Sequence, residues 1–223
     1  MGKVIASVSG GKDSLYALYI ALQEGLKVDY LLFIKAGGKA HRLNRWLLKL
    51  ISESVGIPSL EVNKDTSKIQ GVLKKLGADT LIYGVVGTPE HIDWYREICD
   101  PINVKLYAPL WGKNLSGTLE EMKKLGFRIL IVEVDTSMGF PESWLGKELD
   151  DKILQEIYRL EKEQKINPSG ERGEYHTLVL DCPVYKKSIN VLGSKAVWEG
   201  SKGYLVIKKA NLQPKTSLMP VRP

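Results

Sequence analysis

The first 25 residues read as strand, glycine turn and helix, and that order restricts the fold more than any other feature of the chain. Residues 3–8 are an apolar run. Ser9-Gly10-Gly11-Lys12-Asp13-Ser14 follows, and Leu15, Leu18, Ala21 and Leu22 then recur at helical spacing up to Gly25. The alternation continues. Residues 28–34 (VDYLLFI), 59–62, 80–86 and 104–107 are further strand candidates. Between them, Leu43, Leu47, Leu50 and Ile51 stripe a helix over 42–55, and Ile69, Val72, Leu73 and Leu76 stripe another that stops at Gly77. Strands made of continuous Val, Ile and Leu runs, separated by amphipathic helices, pack as a parallel sheet covered on both faces. The expected class is therefore α/β, with a Rossmann-like parallel sheet. Such sheets bind ligands at the carboxyl ends of their strands, where the loop 9–14 sits.

The texture changes after Pro109-Leu110-Trp111-Gly112. A helix candidate (Leu119, Met122, Leu125) leads to a strand over 128–134. Leu149, Ile153, Ile157 and Leu160 stripe a charged helix. From His176 onward the chain reads as strand and turn: HTLVLDCP, SINVL and GYLVIKKANL, punctuated by Gly193, Gly200 and Gly203. The expected division is residues 1–112 as a nucleotide-binding domain and 113–223 as a second, smaller α+β domain, a size that 223 residues allow. The tail from Pro214 holds three prolines and is expected to be loosely ordered.

Composition excludes several classes. No apolar run approaches the roughly 18 residues of a membrane span, and the N-terminal run is too short for a signal peptide. No membrane partner and a cytoplasmic location are expected. Cys99 and Cys182 form no C-x-x-C pair and no zinc spacing, so each reads as a buried thiol. The net charge of +6 suits an anionic ligand: a nucleotide, RNA or an acidic protein. A homodimer stays open.

The loop has its own chemistry. A glycine turn between a buried strand and a helix directs backbone N–H groups and the positive helix end at one spot. Gly10 and Gly11 let backbone approach a phosphate. Ser9 and Ser14 offer hydroxyls, Lys12 a positive charge, and Asp13 a helix cap or a magnesium ligand. Neither the Walker A spacing nor G-x-G-x-x-G is present. The loop instead resembles the S-G-G-x-D-S pyrophosphate loop of the N-type ATP pyrophosphatases (PP-loop enzymes, with the adenine nucleotide alpha hydrolase-like fold). That resemblance implies ATP and Mg2+, attack at the α-phosphate, and a grip on the departing β,γ-phosphates. It also implies adenine near the end of the second strand, at Phe33 and Ile34, with Tyr83 and Gly84 at the end of the fourth as comparable candidates.

A second segment narrows the acceptor. Residues 167–177 (NPSGERGEYHT) carry turn signals, two carboxylates (Glu171 and Glu174) and His176, a residue able to move a proton near neutral pH. The segment resembles the signature N-P-x-G-E-x-G-E-[YF]-H-T of the diphthine–ammonia ligase family. Pro109-Leu110-Trp111 and Trp144-Leu145-Gly146 resemble that family too, in the same order. The resemblance implies that ATP adenylates the carboxylate of diphthine, the modified histidine of translation elongation factor 2. Ammonia then displaces AMP. Glu171, Glu174 and His176 are the expected acceptor-site residues beside Lys12 and Asp13, and no glutaminase-like segment is present. Residues 87–96 depart from the family pattern, and His91 and Asp93 read first as the start of a surface helix. His41 follows Gly37-Gly38-Lys39, where family members often carry a histidine in a loop able to fold over ATP.

Two rivals share the loop. A tRNA-modifying adenylating enzyme would also explain the charge, although thiolating members use cysteines of a kind missing here. A non-catalytic ATP sensor is the other. Nucleic acid is not the expected partner.

Overall fold

The computed structural model describes residues 2–35, 38–164 and 166–215. Its N-terminal strands are β1 (Lys3–Ser7), β2 (Val28–Lys35), β3 (Ser59–Asn63), β4 (Ala78–Ile82) and β5 (Lys105–Tyr107). They form one parallel sheet in the order β3-β2-β1-β4-β5. The chain steps outward from β1 to β3, then crosses back to lay β4 on the other side of β1. That reversal opens a crevice at the carboxyl ends of β1 and β4, the usual ligand position in an open α/β sheet.

Side-chain alternation along the strands explains the two covered faces. Ile5, Leu32 and Leu81 face helices α4 (Thr66–Leu76) and α5 (Pro89–Cys99), packing with Ile69, Leu73, Tyr95 and Ile98. Their neighbours Ala6, Leu31, Phe33 and Ile82 face the other way. There they meet Leu15 and Leu18 of α1 (Lys12–Gln23) and Leu47 and Ile51 of α3 (Leu47–Val55).

The second sheet is antiparallel and ordered β7-β6-β9-β8, from β6 (Arg128–Asp135), β7 (Tyr175–Asp181), β8 (Ser188–Glu199) and β9 (Lys202–Gln213). Helices α6 (Leu115–Lys124) and α7 (Asp151–Gln164) accompany it. The two sheets share one core: Leu178, Val179, Ile189, Leu205 and Ile207 belong to the same buried cluster as Leu15, Leu47 and Ile51. A separate cluster packs α7 against Phe140, Trp144 and Tyr175. Cys99 and Cys182 are buried free thiols, and burial pushes the Cys99 thiol up to about 12.

Three sequence expectations need correction. The helix expected over 42–55 is two helices, α2 (Lys39–Leu43) and α3, broken at Asn44. The break has a cause. The Asn44 amide donates to the Leu205 carbonyl at 2.8 Å and accepts from the Ile207 N–H at 2.8 Å, so its side chain completes the edge of β9. Trp46 Nε1 adds a bond to the Ile207 carbonyl. The strand expected over 80–86 ends at Ile82, although Val85 and Val86 stay buried. The short SINVL and GYLVIKKANL runs are parts of a hairpin with 12 residues in each strand. The loop glycine Gly37 and the tail beyond residue 215 lie outside the described residues.

Asn44→Ala removes both partners of a buried strand edge while leaving the edge in place. Unpaired buried peptide groups cost about 1–3 kcal/mol each, so a loss of roughly 2–6 kcal/mol is expected in urea unfolding. A variant as stable as the parent would show that water repairs the edge.

Candidate active site

The glycine loop folds around its own hydroxyls. The Ser9 N–H donates to Ser14 Oγ at 3.2 Å, the Gly11 N–H donates to Ser9 Oγ at 3.3 Å, and Ser14 Oγ donates to the Gly11 carbonyl at 2.9 Å. Gly10 sits at φ +87°, a region that L side chains avoid, and a Cβ there would lie 2.8 Å from Ile51 Cδ1. Gly84, just past β4, packs on the loop so closely that a Cβ would stand 2.5 Å from the Asp13 carbonyl oxygen.

The second sheet supplies the opposite wall. The Val179 N–H of β7 donates to the Gly10 carbonyl at 2.9 Å, and the Lys12 N–H donates to Thr177 Oγ1 at 3.2 Å. Lys12 Nζ is buried. It bonds to Asp13 Oδ2 at 2.9 Å and to the Ser169 carbonyl, and lies 5.2 Å from the Tyr175 ring centre. Tyr175 is fixed in turn by its hydroxyl on the Pro168 carbonyl at 2.7 Å. Burial alone would depress the Lys12 ammonium. The charges of Asp13, Tyr175 and Glu171 outweigh it and hold the pKa above its usual value.

A cavity of about 200 Å³ lies between these walls. Ser9, Gly11, Lys12, Asp13, Ser14, Ile34, His41, Tyr83, Gly84, Glu171 and His176 line it. Gly10 is not on the lining and acts through the turn. A second cavity of about 510 Å³ adjoins the first through Val8, Ser9, Ile34 and His41, and Phe33 lines only this one. Glu171 has a position that sequence alone does not foretell. Its carboxylate accepts from the N–H groups of Val86 (2.7 Å) and Gly87 (2.9 Å) and from Thr88 Oγ1 (2.9 Å), so it fastens the segment that starts α5. Glu174 lies away from the cavity, is 1% exposed, and accepts from the Arg172 N–H at 2.9 Å.

Family models match the two parts of the chain separately. The model described as "Diphthamide synthase N-terminal domain" matches residues 2–106, and "Diphthamide synthase C-terminal domain" matches residues 114–213. The chain belongs to the diphthamide synthase family. A diphthine–ammonia ligase of Mus musculus is 28% identical, over 98% of this chain and 95% of the relative. The Homo sapiens relative of the same name is 26% identical over the same shares. That of Schizosaccharomyces pombe is 28% identical over 92% of this chain, which spans 39% of that longer protein.

In this diphthamide synthase family member, two histidines from distant segments meet at the cavity. The His41 and His176 ring centres are 5.2 Å apart, at an angle of 66°. Both are half-buried. Burial, and then the positive charge of Lys12, moves His41 down to about 4. Burial, His41 and Lys12 move His176 down to about 3. Both imidazoles are therefore neutral at pH 7. Glu133 of β6, opposite His176 in the strand register, holds the His41 segment by accepting from the Ala40 N–H at 2.9 Å.

Glu133, Tyr95 and Ser7 carry no sequence signal of their place at the site. Tyr83 stacks on Tyr95 with ring centres 3.5 Å apart, and the Tyr95 hydroxyl is 2.8 Å from Ser7 Oγ. Each lies on a regular strand or helix, where an apolar stripe hides an inward polar group. His91 lines the cavity from the first turn of α5, while Asp93 pairs with Arg96 on the outside. Thr177, the last residue of the segment 167–177, accepts from the Lys12 N–H, a contact that its place in the segment does not foretell.

The histidines predict an acid-sensitive fold. The unfolded chain binds protons near pH 6.5, the folded site only near 4 and 3, so stability is full above 6.5 and falls as pH drops. The expected loss is at most about 1.4 kcal/mol per pH unit for each histidine, less what solvent at the open ring edges screens. Urea unfolding at pH 7 and pH 5 measures it. His176→Asn should flatten the slope, and an unchanged slope would assign the acid sensitivity elsewhere.

Proposed function

We infer that the protein is an ATP-dependent, amide-forming ligase that converts diphthine to diphthamide on translation elongation factor 2. The observation that carries this reading is a physical join: Lys12 of the loop bonds directly to Thr177 and Ser169 of the signature segment. A phosphate-binding turn and an acceptor-binding segment therefore share one cavity.

The reaction has two halves. The diphthine carboxylate attacks the α-phosphorus of ATP, an acyl–phosphate bond forms, and the bond to the β-phosphate breaks with pyrophosphate leaving. Ammonia then attacks the acyl carbon, and the carbon–oxygen bond breaks to release AMP. In this reading the loop N–H groups and the start of α1 stabilise charge building on pyrophosphate, where preorganised donors have most effect. The β,γ-phosphates occupy the smaller cavity, and the adenosine the larger one along Phe33, Ile34 and His41. Neutral His41 and His176 accept hydrogen bonds from ammonia without adding a second positive charge beside Lys12. Glu171 acts as a positioning residue that sets Val86, Gly87 and α5. Glu174 shapes the segment from behind.

Magnesium fits the donors modestly. Among the described residues no group of three or more acidic, histidine or cysteine side chains converges. Magnesium bound to a nucleotide usually takes one or two carboxylates with phosphate oxygens and water, a role Asp13 would fill. The ion would neutralise phosphate charge. Residues 1–112 serve ATP and 113–223 the acceptor in this division, and ammonia is the nitrogen source. No helix among the described residues is long and apolar enough to cross a membrane, in keeping with a cytoplasmic enzyme. Buried Cys99 and Cys182, with thiols held above their usual pKa, do not suit sulfur transfer to tRNA.

The test combines ATP, ammonium and elongation factor 2 bearing diphthine, with AMP and the factor's mass as readouts. AMP and amide should form in equal amounts. AMP formation that needs tRNA, or none with any acceptor, would overturn the assignment. Ser14→Ala should lower kcat/KM roughly a hundredfold, the scale of one lost transition-state donor, and Gly84→Ala, whose Cβ would push the Asp13 backbone aside, should lower it as well. Unchanged turnover in both would remove the loop from the chemistry.

A further inference from the structure

The net charge of the chain is not spread over it. Residues 186–215 hold seven lysines and one acid, Glu199, a net of +6 that equals the net of all 223 residues. The remaining residues carry 25 basic and 25 acidic side chains, from the totals of 32 and 26 less those seven and one. This lysine-rich stretch is the β8–β9 hairpin with its flanks. β8 is an edge strand with one side unpaired by the sheet. Lys195, Lys208 and Lys209 are exposed, and none makes an ion pair among the described residues.

The hairpin is continuous with the mouth of the candidate site. Its turn end carries Glu199, paired with Lys39, and Lys202, 3.5 Å from Asp135. Lys39 also lies 5.1 Å from the ring centre of Tyr204 on β9. The next residue back, Gly38, passes so close to His176 that a Cβ would lie 2.4 Å from its Nε2. Asn44 and Trp46 fasten the same strand to the segment between α2 and α3. A macromolecule resting on the hairpin thus reaches the cavity wall.

We propose that this hairpin is the docking surface for an acidic face of the protein substrate, a reading that rests on the proposed function. In the proposed reaction the two cavities, of about 200 and 510 Å³, take a nucleotide and a side chain, so recognition of a whole protein needs surface outside them. Charge of one sign, beside a site and away from it balanced, steers an oppositely charged partner and raises its rate of encounter. Lysines on an edge strand also deter aggregation, which would account for Lys195 on β8, but Lys208 and Lys209 belong to β9, an inner strand of the sheet. An RNA ligand fits less well. Single-stranded RNA calls for aromatic platforms, and the exposed aromatic of the hairpin, Trp198, lays its six-membered ring across Gly203.

The experiment measures binding of elongation factor 2 bearing diphthine to the full chain and to a variant with Lys195→Glu, Lys208→Glu and Lys209→Glu. A control carries the same charge change on α4, at Lys68, Lys74 and Lys75. The hairpin variant should bind roughly tenfold more weakly or worse and lose most of the salt dependence, while its KM for ATP stays at the parent value. The control should bind like the parent. Equal affinity of hairpin variant and parent would overturn the proposal, as would equal weakening by the control. Loss of single-stranded RNA binding with factor affinity intact would assign the hairpin to nucleic acid instead. Hairpin-dependent binding without AMP formation would sink the ligase reading and leave the docking surface standing. AMP formation with hairpin-independent binding would do the reverse.

Discussion

The buried ammonium of Lys12 is the interaction on which the rest of the site depends. It belongs to the first helical residue after the glycine turn, yet it bonds across to Ser169, 157 positions later. An isolated buried charge would be untenable, and Asp13 at 2.9 Å with the Ser169 carbonyl satisfies it. The Lys12 N–H on Thr177 and the Val179 N–H on Gly10 run in the same place. Together they knit the end of β1 to the start of β7. The two sheets therefore make one site, and their apolar faces close over one core.

From that join the roles of the other residues follow. Gly84 has to be glycine because β4 delivers it against the backbone of Asp13. Glu171 spends its carboxylate on the segment entering α5, so the signature loop fixes the β4 side of the crevice as the Lys12 join fixes the β1 side. His41 and His176 close the third side, held by Glu133 through Ala40. Each of these contacts spans a large sequence separation. The cavity exists only when both sheets are in place.

Much of the first sheet was legible in the chain. Continuous apolar strands and striped helices are local signals, and the β1 turn carries its own glycines. The break at Asn44 was not legible, because its cause is an amide completing a strand more than 160 residues away. The apolar run 80–86 misled for a related reason: Val85 and Val86 are buried in a loop whose peptide groups are served by Glu171. At the site, the glycine loop and the segment 167–177 announced themselves by residue type and spacing. Glu133 did not, since a single acid inside a run such as RILIVEVD has no pattern to mark it. Glu171 and Glu174 look equivalent in sequence, and only packing separates a carboxylate facing the cavity from one turned behind it.

In the proposed function the joined cavity brings the acceptor carboxylate to the α-phosphorus of ATP. Diphthine carrying heavy oxygen in its carboxylate tests this directly, with mass spectrometry of every phosphate product after one turnover. One labelled oxygen is expected in AMP and none in pyrophosphate. Label in inorganic phosphate, with ADP as the nucleotide product, would contradict it.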